Sequence, residues 1–219
     1  MTKGTLFGSL HSSTDLGLIQ QRVEVSPAAP KTNYVDIPGG DGSKDLTEAL
    51  GVGVKYDDRE ITWTFGLYPG QDWYAKQQQV SGALNGLACH ITLDDDPGYY
   101  YDGRLEVSGY SSDKLLRQIT VRAVCRPYKR KLQLTTVARD DLDETYKTIT
   151  LTNGRMPVVP AITVGQETSI KFGGATYVVT TGTHTLPGIR LGEGANTLEA
   201  STASGTGGTI SVEYREGAL

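Results

Sequence analysis

Histidine, cysteine and tryptophan are scarce in this 219-residue chain, at three, two and two residues. Each scarcity removes a class of function. His11, His90 and His184 lie far apart and form no HxH, HExxH or Cys/His spacing that would place imidazoles around one zinc ion. No G-x-S-x-G elbow marks an activated nucleophile. No catalytic, cofactor-binding or metal-binding residue is expected, and the chain reads as a non-enzyme. There is also no excess of basic charge: the formal net charge is −4 and the isoelectric point is near 5.4. Nucleic acid and anionic membranes need a basic face to neutralise phosphates, so neither is an expected partner. The one basic cluster, RPYKRK at 126–131, is short and reads as a solvated strand end. No stretch approaches the roughly 18 apolar residues that span a bilayer. The opening MTKGTLFGSLHSS lacks the apolar run of a secretory signal, so synthesis and folding in the cytoplasm are expected.

What the chain does have is alternation. In EITWTFGL, Ile61, Trp63, Phe65 and Leu67 fall on one parity and Thr62 and Thr64 on the other, the pattern of a half-buried strand. The same reading fits 16–25, 118–126, 147–152, 169–172, 176–181 and 209–215. So many short alternating segments predict a mainly β, antiparallel architecture. Asp102-Gly103 and Gly173-Gly174 read as two-residue hairpin turns, where glycine supplies left-handed backbone angles at little cost. One helix is predicted in DWYAKQQQVSGALNG, with Asp72 as N-cap, Trp73, Val80 and Leu84 on one stripe, and Asn85-Gly86 as its stop. A short second turn is expected in DLTEAL (45–50), capped by Asp45.

Both cysteines share the apolar parity of their segments, Cys89 with Leu87, Ile91 and Leu93, and Cys125 with Ile119, Val121 and Ala123. Both thiols are therefore expected to be buried, as free cysteines or as a single bridge between neighbouring strands.

Composition shifts after residue 131: both tryptophans, both cysteines and 15 of the 21 Lys and Arg precede it. The acidic run in VARDDLDE (137–144) reads as a solvated connector. Two domains are expected, 1–134 with β strands and one helix, and 135–219 with β strands only.

PGGDGSKD at 38–45 looks like a ligand cradle, but it fails both tests. A Walker loop needs lysine directly after the last glycine, and here Ser43 intervenes; an EF-hand loop needs oxygen ligands at alternate positions, and Asp36, Asp41 and Asp45 are not so spaced. It reads as a tight glycine turn. Asp94, Asp95 and Asp96 before Pro-Gly read as an exposed acidic turn rather than a metal site. In the second domain Tyr146, Phe172, Tyr177 and Tyr214 lie in or beside strands, where core packing competes with sugar stacking. A glycan-binding adhesion module is the alternative reading there.

An ordered set of short motifs adds to this. Asp15-Leu16-Gly17, the turn from Ile37-Pro38-Gly39 to Asp45-Leu46, Tyr56 with Arg59, Asp-Pro-Gly-Tyr-Tyr at 96–100 followed by Gly103-Arg104-Leu105, and Pro127-Tyr128-Lys129 resemble, in family order, the first domain of phage distal tail proteins. These are the hub proteins of long non-contractile tails. The C-terminal half is similar to the galectin-like β-sandwich that follows in that family. The resemblance implies a structural virion protein at the tail tip, assembled in the host cytoplasm as a homohexameric ring. Its implied partners are the tail-tube protein, the tail-associated tip protein and, at the periphery, a receptor-binding protein; another tail-tube or tail-terminus protein is the alternative within the same class. Pro38, Gly39, Gly40, Asp41, Gly42 and Arg59 are the implied interface residues. Two departures stand out: Gly40 occupies a position where arginine is frequent, and the second domain lacks a large insertion.

Overall fold

Alternating side chains become buried strands here because each strand finds a neighbour of matching parity. The computed structural model describes residues 3–219 except 50, 52, 113–116, 204 and 206. It divides into two units, Met1–Lys129 and Arg130–Leu219. The first carries β1 (Thr5–Phe7), β2 (Leu10–His11), β3 (Leu18–Val25), β4 (Tyr34–Asp36), β5 (Ser43–Asp45), β6 (Arg59–Leu67), helix α1 (Trp73–Leu84), β7 (Ala88–Leu93), β8 (Tyr99–Ser112) and β9 (Arg117–Cys125). The short β10 (Lys129–Lys131) straddles the division.

The main sheet of the first unit runs β2-β1-β7-β8-β9-β6-β3, all antiparallel. Ile61, Trp63 and Phe65 of β6 stand opposite Ala123, Val121 and Ile119 of β9, and all six are fully buried. Each such aliphatic or phenyl side chain contributes about 1.5–3 kcal/mol on burial. Phe7 meets the Trp63 ring edge-on at 5.1 Å, and the indole N–H donates to Thr5 Oγ1 at 3.0 Å, so the largest core residue leaves no polar atom unpaired. Helix α1 forms as its pattern predicts: the Asp72 side chain accepts from the Ala75 amide at 2.8 Å, Trp73, Val80 and Leu84 face the core, and Gly86 continues at φ +81°.

Asp102-Gly103 is not a hairpin turn. Strand β8 runs straight through it, and Gly103 pairs with Cys89 on one side and Cys125 on the other. Glycine is needed there for space, since a Cβ would lie 2.5 Å from Cys125 Sγ. The same register decides the cysteine question. A whole strand separates the two thiols, about 10 Å between backbones and beyond the reach of a disulfide, and both are free. Burial pushes the Cys89 thiol up and the Cys125 thiol to about 12. In the native protein near pH 8, Cys89, the less buried, is expected to react with iodoacetamide before Cys125, and mass spectrometry after denaturation should find both modified. Because the folded pKa of Cys125 is raised, the unfolded thiol ionises first, and stability is expected to fall as pH rises from about 9 towards 12.

The second unit contains β11 (Thr135–Leu142), β12 (Lys147–Asn153), β13 (Ala161–Val164), β14 (Thr168–Phe172), β15 (Ala175–Val179), β16 (Gly182–Thr185), β17 (Gly194–Thr202), β18 (Gly208–Tyr214) and β19 (Gly217–Ala218). Two four-stranded sheets, β11-β18-β13-β16 and β12-β17-β14-β15, enclose one core in which Ile162, Ile210 and Val212 of the first meet Leu151, Ile170 and Leu198 of the second. Among the described residues the chain is thus mainly β with one helix, as the sequence pattern predicts. Gly173-Gly174 does form a hairpin turn, with φ +57° and +84°, between β14 and β15.

Most of VARDDLDE is a strand rather than a connector. Residues 137–142 belong to β11, an edge strand whose pairing with β18 shifts between Arg139 and Leu142. Acidic side chains and an irregular register on an edge discourage pairing with other chains, which reconciles the charge with strand structure. Just beyond, Asp143 accepts from the Thr145 hydroxyl, from Lys147 Nζ at 2.9 Å and from the Thr145 amide at 2.8 Å, and these bonds hold its carboxyl down at about 2. A depressed carboxyl stabilises the fold above its ordinary pKa and loses that contribution as pH falls. Urea titrations are expected to show wild-type stability declining between about pH 4 and 2, with a flatter profile for Asp143→Asn.

Among the described residues no helix is long and apolar enough to cross a membrane.

Candidate assembly arm

Between β3 and β6 the chain leaves the main sheet for residues 26–58 and returns beside its point of departure. Ser26 N–H donates to Glu60 O at 2.9 Å, Asp57 N–H to Ala29 O at 2.8 Å, Lys31 N–H to Lys55 O at 2.8 Å and Leu46 N–H to Asn33 O at 2.7 Å. Farther out, β4 and β5 pair Tyr34 with Asp45, Val35 with Lys44 and Asp36 with Ser43. These contacts define a two-stranded ribbon. At its base Lys31 pairs with Asp57 at 3.4 Å, and the Tyr56 and Tyr128 rings meet edge to face at 5.9 Å.

Pro38, Gly39, Gly40, Asp41 and Gly42 form the tip. Gly39 and Gly42 adopt φ +78° and +74°, which demand glycine, and Gly40 N–H closes the turn on Ile37 O at 3.0 Å. Gly40 itself is not at positive φ, and its Cβ would meet only ordinary contacts near 3.5 Å. The expected turn in DLTEAL forms: Asp45 ends β5, residues 47–49 form a turn in which Ala49 N–H donates to Leu46 O at 3.1 Å, and Leu50 lies outside the described residues. Asp45 caps it. Hydrogen bonds from Thr47 hold its carboxyl below the usual range, with the Thr47 amide donating at 2.9 Å.

Almost nothing on the ribbon is buried. All of β4 and β5 is exposed, and Tyr34, Val35 and Ile37 leave 60%, 44% and 54% of their surface in solvent. A two-stranded ribbon has no core of its own, and three adjacent apolar side chains on it favour burial against another surface. The segment also carries six acidic residues against three lysines. A complementary surface would offer apolar contact bordered by positive charge.

Arg59 lies apart from the tip. It begins β6 with 6% exposure, its guanidinium 5.6 Å from the Tyr101 ring centre and its Nε without a hydrogen-bond partner. The sequence motifs thus mark the tip, with Ile37, and the base of the arm but pass over Tyr34 and Val35. An alternating YVDI run before a glycine turn was the signal available for them.

The other sequence candidates disperse. Asp94 faces His11 at 3.2 Å and accepts from the Gly4 amide at 2.7 Å, Asp95 pairs with Lys3, and Asp96 pairs with Lys129 at 2.6 Å. The three carboxylates diverge instead of converging on one ion. His90 pairs with Asp102 at 3.1 Å, while His184 bonds Thr180 O at 2.6 Å. In the basic cluster Lys131 pairs with Glu216 at 2.8 Å, so with Lys129 it is partly neutralised in place.

No protein-family model and no curated protein matches this sequence. The fold, however, is similar from end to end to the crystal structure of the SPP1 Dit (gp 19.1) protein, a paradigm of the hub adsorption apparatus in phages infecting Gram-positive bacteria, with a TM-score of 0.70 over 98% of this chain and 99% of that one at 16% identity.

Proposed function

We propose that this protein is a structural hub at the distal end of a phage tail, assembling as a homohexameric ring through the 26–58 arm. The observation that carries the reading is the fold likeness to SPP1 Dit, which spans both units rather than one. The ordered motifs of residues 10–131 and the exposed apolar arm support it independently. In the ring, Tyr34, Val35 and Ile37 are buried against the next subunit, the turn at Pro38, Gly39, Gly40, Asp41 and Gly42 shapes the contact, and Arg59 steadies the base from inside its own unit. Heterologous contacts of this kind close into rings when the rotation between subunits permits. The ring joins the tail-tube protein to the tail-associated tip protein, and the galectin-like second unit faces host-binding components such as a receptor-binding protein. Its place is then the virion tail tip, reached by assembly in the host cytoplasm. A tube or tail-terminus protein of single-domain plan would leave the second unit unexplained. Co-expression with the neighbouring tail genes and electron microscopy of the purified complex test the reading: six-fold rings are expected, and a complex without them overturns it.

A further inference from the structure

Each sheet of the second unit has two edge strands, and the two sides of the unit differ in how those edges are protected. The short connections at 143–146 and 180–181 put edge strand β11 beside β12 and edge strand β15 beside β16. On the first side, β11 carries Arg139, Asp140 and Asp141, and its register with β18 shifts. Carbonyls of β12 are covered by side chains: the Arg139 guanidinium donates to Thr148 O at 2.9 Å and the Tyr214 hydroxyl to Thr152 O at 2.6 Å. Charge, irregular register and covered main-chain groups keep an edge from pairing with another chain. The second side lacks these devices. Positions 172–189 hold no Asp, Glu, Lys or Arg. Strand β15 pairs with β14, and β16 with β13, without a shift. Among the described residues no side chain covers a main-chain group of β15 or β16; His184 reaches only Thr180 O, in the turn between them.

Of these two strands β15 is the better template. It is a regular run, ATYVV, rich in residues that favour a pleated surface, whereas β16 is shorter and begins at Gly182 with φ +129°. Alternate residues of an antiparallel strand direct both main-chain groups to the same side, so the outer residues of β15 present unpaired donors and acceptors in a row. Val178 on this strand leaves 68% of its surface in solvent, more than any other large apolar side chain described in the second unit. A second copy of β15 fits this edge. Both strands are neutral, so like meets like without repulsion. An antiparallel pair centred on Tyr177 sets Thr176 of each copy opposite Val178 of the other, which gives both valines apolar cover. Lys171 lies opposite Thr176 on β14, so the two lysines fall in different rows with both β15 strands between them. A two-fold contact of this kind uses the same patch on both chains and closes on itself. We propose that β15 pairs antiparallel with β15 of a second copy, joining two β12-β17-β14-β15 sheets into one of eight strands. The pairing requires neither the hub reading nor the 26–58 arm.

The test is sedimentation velocity and amide-resolved NMR on the full chain carrying Tyr34→Asp and Ile37→Asp, so that association through the arm is removed and the two readings fail separately. A contact of one short strand falls below the ~1,200 Å² of a stable interface, so a reversible dimer with a Kd of about 100 µM is expected. On dilution the amide shifts should centre on residues 175–179 and their β14 partners. Val178→Lys puts a charge on the edge and sets the two new ammonium groups diagonal to each other; it should weaken the dimer about tenfold or more. Thr176→Lys, at a second exposed position of the strand, should do the same. Thermal unfolding of both variants should match the parent, because neither side chain is buried in the single chain. A monomer at concentrations up to about 1 mM, shifts centred on another strand, growth beyond the dimer, or a dimer indifferent to both lysines would each overturn the proposal.

Discussion

The double variant Tyr34→Asp, Ile37→Asp is expected to fold as wild type and to form no rings. Both side chains are mostly in solvent in the single chain, so replacing them removes little intramolecular packing. Exposed substitutions of this kind usually change stability by no more than about 0.5 kcal/mol. In the proposed ring the same positions would be buried, and each large apolar group lost there would forfeit about 1.5–3 kcal/mol per contact. A carboxylate in its place must also be desolvated without a partner, in an arm that is already acidic. The two effects add at every subunit interface. Native mass spectrometry of the co-expressed complex, paired with thermal unfolding of the isolated chain, separates assembly from folding. Rings that persist with both aspartates in place would show that the arm is not the contact.

The second large effect concerns the centre of the first unit. Gly103→Val is expected to destabilise it by about 3 kcal/mol, at the upper end of what overpacking costs. The added Cβ would stand 2.5 Å from Cys125 Sγ, 3.1 Å from Val124 O and 3.2 Å from Ile91 Cδ1. All three neighbours belong to the flanking strands, two to β9 and one to β7, and one is backbone, so relief requires parting the sheet. Cys125→Ala removes the closest atom and should recover part of the loss, which a urea titration of the single and double variants can measure as a coupling. Equal stability of Gly103→Val and wild type would mean that the strands have more room than the geometry implies.

These two sites also mark how far a local pattern reaches. The strand at 59–67 and the helix at 73–84 were legible because their signals are contained within them: period-two alternation in one, a cap, a stripe and a stop in the other. Gly173-Gly174 was read correctly as a turn and Asp102-Gly103 was not, although the two look alike. What separates them is a neighbour from elsewhere in the chain. Nothing local distinguishes a glycine chosen for φ from one chosen to leave room for Cys125. VARDDLDE shows the same limit, since charge marks the exposure of a segment but not whether its backbone pairs with β18.

The sequence by itself determined the mainly β architecture, the helix with both of its ends and the backbone demands of the glycine turn at 38–42, because each depends on residues a few positions apart. Tertiary structure alone decided that this turn tips an exposed ribbon, that Arg59 is buried at its base and that Gly103 keeps two thiols apart. Each of these depends on register between distant strands, and a register is set by the packing of the whole sheet rather than by any one of its strands.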